Sequence, residues 1–140
     1  MKNILLISFS ILLIFACVGP EDLNDGLVDN IPTVVNTNEA FTFALKADNY
    51  TFNESYSLSF SVIDSSSFIS TTLLITGAGN SDSLSITFYG ENNVELWPIN
   101  WGGNMVYVSR DSTALFNPKS VQFKGEDYTG EIQCVLAVDK

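Results

Sequence analysis

Histidine is absent from this 140-residue chain. Without it no Ser-His-Asp triad, no Cys-His dyad and no His-ligated metal site can be assembled. Basic residues are scarce as well: six Lys and Arg stand against sixteen Asp and Glu, for a net charge of −10. Binding to a phosphate backbone needs clustered Lys and Arg to displace counterions, and here they are scattered, so nucleic acid is not an expected partner. There are two cysteines, Cys17 and Cys134, and no Ser-x-x-Lys that would supply a serine nucleophile with a base. No segment carries a helical apolar period over three turns. These absences leave no cofactor, no metal and no enzyme as the expectation, and a single domain fits the length.

What is present begins with an export segment. Met1-Lys2-Asn3 is a short positive start, and Ile4 to Ala16 is an apolar run interrupted only by Ser8 and Ser10. As a helix that run rises about 20 Å, short of the ~30 Å hydrocarbon core of a bilayer. It therefore reads as a signal peptide rather than a spanning anchor. Ile14-Phe15-Ala16-Cys17 resembles a bacterial lipobox, with Phe15 bulkier than the usual residue before the small one. The resemblance implies cleavage before Cys17, two acyl chains on its sulfur and a third on the new N-terminus. Two or more chains go beyond the single chain that gives only marginal membrane attachment.

Residues 17–38 read as the lipidated cysteine and a flexible acidic tether. Glu21, Asp22, Asp25 and Asp29 are interspersed with Gly19-Pro20, Gly26 and Pro32, and no period of 2 or 3.6 is sustained. Such a stretch buries too little apolar surface to offset its ordering entropy. Acids a few positions after the cysteine resemble the surface-export signal of Bacteroidetes-type lipoproteins. A surface-facing and a periplasm-facing position both remain open.

Residues 39–140 alternate with period 2 almost throughout. Phe41, Phe43, Leu45 and Ala47 share a face, as do Tyr56, Leu58, Phe60 and Val62. Leu84, Ile86 and Phe88 form a third such set, and Ile132, Cys134, Leu136 and Val138 a fourth. Asp48-Asn49 and Asn53-Glu54 read as turns. Pro98 confines Val94–Trp97 to an edge or a strand end. The expectation is an all-β fold, a single antiparallel β-sandwich of eight or nine strands, with an open β-barrel as the alternative.

The most unusual stretch is Trp97-Pro98-Ile99-Asn100-Trp101-Gly102-Gly103-Asn104, which holds both tryptophans. Sugar rings stack on indole faces and amides read hydroxyls in both directions, so Trp97, Trp101, Asn100 and Asn104 are candidate glycan-binding residues. The competing reading plugs the open end of the sandwich with the two rings. Glycosidase chemistry would need two carboxylates converging in a cleft, drawn from Asp111, Glu91 and Glu95. Cys134 reads as a small buried hydrophobe. Asp82-Ser83-Leu84 and Asp111-Ser112-Thr113 resemble the O-glycosylation motif of exported Bacteroidetes-type proteins, with Ser83 and Ser112 as acceptors.

Lipobox, acidic spacer and one Ser/Thr/Asn-rich β domain together resemble the small β-sandwich lipoproteins of Bacteroidetes-type bacteria. The resemblance implies a lipid-anchored position at the outer membrane, with contact to the membrane through the acyl chains on Cys17. The expected role is a non-enzymatic binding or structural module for an envelope protein, with a glycan-binding accessory lipoprotein as the alternative. Likeness of layout transfers no activity.

Overall fold

A computed structural model describes residues 26–60 and 66–139. The lipobox, Cys17, the first part of the tether and Val62 lie outside the described residues. Seven strands are present among them: β1 Thr33–Asn36, β2 Ala40–Ser57, β3 Phe68–Thr76, β4 Ser83–Tyr89, β5 Glu95–Trp101, β6 Met105–Ser112 and β7 Ser120–Asp139. Every strand pairing is antiparallel, and the sheet does not close into a barrel.

The count falls below eight because β2 and β7 are long. β2 runs for 18 residues through the two positions read as turns, and β7 runs for 20. The two strands form the spine of the fold and pair along nearly their whole length. The later half of β7 pairs also with β3, and β3 with β6. The earlier half of β7 pairs with β4, and β4 with β5. One pair of strands thus serves two layers.

The spine folds back over itself. Phe43 lies near the start of β2 and Phe123 near the start of β7, yet their rings stack at 3.9 Å between centroids. Phe41 and Tyr56 sit on one strand and approach to 5.8 Å, whereas fifteen extended residues would hold them about 50 Å apart. The result is sandwich-like: the halves of β2 and β7 lie in facing layers, with corners made by strands that switch layer. Phe41, Phe43, Leu45, Ile86, Phe88, Phe123, Ile132, Cys134 and Leu136 are all fully buried between them.

The corner is a pair of compensating bulges. Ala47 pairs with Gly130 and Tyr50 with Tyr128, so β2 carries one extra residue there; Phe52 then pairs with Gly125, so β7 carries the next. Asn49 and Asp127 adopt left-handed conformations at these points. The Asp48-Asn49 turn expected from sequence is therefore a bulge, and Asn53-Glu54 is continuous strand. A bulge shifts which residues face inward. On β2 the inward set runs 41, 43, 45, 47 and then 52, 54, 56. Glycine is required twice beside this corner: a Cβ on Gly125 would lie 2.6 Å from the Phe52 ring, and one on Gly130 would lie 2.8 Å from the Thr76 carbonyl.

The tether boundary also moves. Thr33–Asn36, placed by the sequence reading in the spacer 17–38, forms β1 and pairs with Ala44–Phe41. Val34 packs against the core, which gives this short strand its hold.

Candidate functional site

β5 distributes the two tryptophans to different environments. Trp97 pairs with Phe88 across β4. Its ring lies 5.8 Å from Phe88, 4.7 Å from Tyr107 and 6.2 Å from Phe116. It closes the side of the sandwich between β5 and β6. Trp101 ends the strand where the layer runs out, and it is 45% exposed. Its indole N–H donates to the Asn104 carbonyl at 3.4 Å. The strand rises about 3.3 Å per residue, so the two side chains leave the backbone about 13 Å apart. No two-ring platform is assembled.

Around Trp101 lies an open depression of about 540 Å³, lined among others by Asn100, Ser83, Lys124, Glu126 and Asp82. Asn100 and Trp101 are thus brought together. Asn104 meets Trp101 only through its backbone carbonyl; its amide oxygen accepts the Ala78 N–H at 3.0 Å, which ties the β3–β4 loop to the β5–β6 turn. Asp82 accepts the Gly79 N–H at 2.7 Å and shapes the same loop. Ser83 is exposed at the depression. Ser112 instead accepts the Ala114 N–H at 3.3 Å within the turn after β6.

The acids named for glycosidase chemistry sit on separate elements. Glu91 belongs to a short 3-10 turn, Glu95 begins β5 and Asp111 lies near the end of β6, where it accepts the Ser109 hydroxyl at 2.8 Å. Cys134 is fully buried, and burial pushes its thiol up to about 12, far from the thiolate that a nucleophile needs.

The two layers present unlike outer faces. On the layer with β4 and β5, the outer face is polar. Tyr89 donates to Gln122 at 3.2 Å, and Gln122 donates to Asn53 at 2.8 Å. On the other layer, one register row reads Val35, Thr42, Val135, Thr72, Val108 across β1, β2, β7, β3 and β6. The next reads Thr33, Ala44, Gln133, Leu74, Val106. Neither row contains a charge. Val35, Val106 and Val108 are 52%, 74% and 68% exposed. With strands ~4.8 Å apart and rows ~6.8 Å apart, this face covers roughly 330 Å². The sequence reading missed it, although a signal was present. Met105-Val106-Tyr107-Val108 and Cys134-Val135-Leu136-Ala137-Val138 are apolar at both parities, the pattern of strands with two apolar faces.

No protein-family model matches the chain, and no curated protein sequence matches it. Among solved structures, one described as "Bacillus endospore appendages form a novel family of disulfide-linked pili" is similar at 16% identity and a TM-score of 0.42, covering 81% of this chain and 93% of that one. Nothing about this chain is inferred from a likeness of that degree.

Proposed function

We propose that the chain is a non-enzymatic lipoprotein of the bacterial cell envelope. In this reading an acyl anchor on Cys17 and an acidic tether hold the β-sandwich at the outer membrane, where it serves as a binding or structural module for an envelope protein. The observation that supports it is the uncharged, β-branched outer face on a chain of net charge −10. The solvated face of an antiparallel sheet normally reads polar. An uncharged face of a few hundred Å² has the size of the largest patch on a typical monomer, which is often functional.

Two measurements test the reading. Fatty-acid labelling in cells should mark the wild type and not Cys17→Ser; equal labelling of both rejects the anchor. A photo-crosslinking residue at Thr42, on the uncharged face, should give one discrete adduct, and the same residue at Ser55, on the polar face, should give none. Indistinguishable adduct patterns reject the face.

A second reading has its own observation. Trp101 offers an exposed indole beside Asn100, Lys124 and Glu126, and one aromatic face with flanking polar groups is enough to stack a sugar ring. Retention on a glycan matrix that is lost in Trp101→Ala would favour it.

A further inference from the structure

We infer that two copies of this chain pair through β6, antiparallel and centred on Tyr107, to make one continuous sheet. The inference stands on an edge whose Val106 and Val108 also border the outer face, and it does not depend on what covers the rest of that face.

Among the described residues the sheet has four outer edges: β1, β5, β6 and the later half of β2, where Phe52–Ser57 pairs with β7 alone. That half of β2 carries Glu54 in its middle, and the Asn36 amide takes its last carbonyl, that of Ser57, at 2.7 Å. β1 is four residues long and follows Pro32. β5 contains Pro98, which has no N–H to offer a neighbouring strand. β6 has no such interruption. Its eight residues run in unbroken register with β3 on one side and pair with no other described strand. It holds no proline, glycine or lysine, and Met105–Ser109 is uncharged. A straight, uninterrupted edge of this kind is a template for another strand.

The occupant follows from the spacing of the side chains. Val106 and Val108 are the most exposed apolar residues of any strand, at 74% and 68%. They flank Tyr107 symmetrically. An antiparallel second copy centred on Tyr107 sets Val106 of each chain opposite Val108 of the other, on the same outer face. Directly opposed side chains on one face lie ~5 Å apart and stabilise the pairing. The same register sets Arg110 opposite Asn104 and Asp111 opposite Gly103. No carboxylate meets a carboxylate, which matters when each chain carries a net charge of −10. Arg110 keeps its own partner, Asp139, at 2.6 Å. The rows of the five-strand layer then run on into those of the second copy. An edge contact is small, below about 1,200 Å² in total, so association is expected at micromolar concentrations.

Sedimentation equilibrium of the full chain in detergent, over a micromolar concentration series, should show a monomer–dimer equilibrium. Val108→Lys should weaken the dimer by about tenfold or more, while Val108→Thr should leave it in place. Because Val108 is exposed, both variants should melt with the wild type. A separate readout fixes the register: under mild oxidation the Val106→Cys/Val108→Cys double variant should crosslink into dimers, and Val108→Cys alone should not. A wild type that stays monomeric, a dimer indifferent to Val108→Lys, or equal crosslinking of the single and double variants overturns the inference.

Discussion

Asn49 and Asp127 flank the Tyr50–Tyr128 pair diagonally at the corner of the sandwich, each in a left-handed conformation, at φ 48° and 46°. Each backbone N–H is taken by a threonine of the opposite strand. The Asn49 N–H donates to the Thr129 hydroxyl and the Asp127 N–H to the Thr51 hydroxyl, both at 3.0 Å. Thr51 donates in turn to the Asp127 carboxylate at 3.1 Å. Both extra residues are thus anchored, and the spine changes layer without leaving these backbone donors unpaired.

Asn and Asp tolerate this conformation better than other residues with a Cβ. Asn49→Gly should therefore change stability by a few tenths of a kcal/mol. Asn49→Val should cost about 2 kcal/mol, because a β-branched residue at positive φ is a genuine outlier. Urea midpoints of the two variants check this. Equal midpoints would mean that the corner does not depend on Asn49.

Phe52 lies over Gly125, its cross-strand partner, and an added Cβ would fall 2.6 Å from the ring. Gly125→Ala should cost about 1–3 kcal/mol by overpacking. In the Phe52→Leu background the same change should cost clearly less, since the shorter side chain leaves room. A double-mutant cycle measures the difference. Strict additivity would place the strain of Gly125→Ala elsewhere.

Much of this fold was legible from period alone. Phe41 to Ala47, Leu84 to Phe88 and Ile132 to Leu136 all bury the residues that their alternation selects. The corner was not legible, because Asn and Asp serve turns and bulges alike. What decides between them is a set of contacts with Thr129 and Asp127, about 80 residues away in sequence. For the same reason the reversal of inward parity between Ala47 and Phe52 could not be read locally. At the site, Trp97 and Trp101 stood out by residue type. Their separation into core and rim depends on where β5 ends against β4, which is a tertiary fact.

That separation predicts unlike behaviour for the two rings. Trp97→Ala should cost about 3–5 kcal/mol, the range for losing a large aromatic from a packed site. Trp101→Ala should stay within about 1 kcal/mol, as its ring is half open. Acrylamide should quench the Trp97→Phe variant, which keeps Trp101, far more readily than the Trp101→Phe variant. Matching quenching constants would contradict the placement of the two rings.

Two buried acids make the fold sensitive to alkali. Burial pushes Cys134 up to about 12; Tyr128 also rises to about 12, mainly through burial, with the Asp82 charge adding to it. In the unfolded chain these groups titrate near ~8.5 and ~10. A folded value above the unfolded one means that the stabilisation is complete below the unfolded value. It is lost progressively as pH rises toward the folded value. Stability should therefore hold to about pH 8.5, fall by up to about 1.4 kcal/mol per pH unit while only Cys134 differs, and fall about twice as fast above pH 10. Cys134→Ala should remove the first part of the decline and leave the second, whatever it costs at neutral pH. Tyr128→Phe should do the reverse. Urea melts of the three proteins across this range check the order, and a wild-type curve that stays flat to pH 11 would show that neither group ionises differently on unfolding.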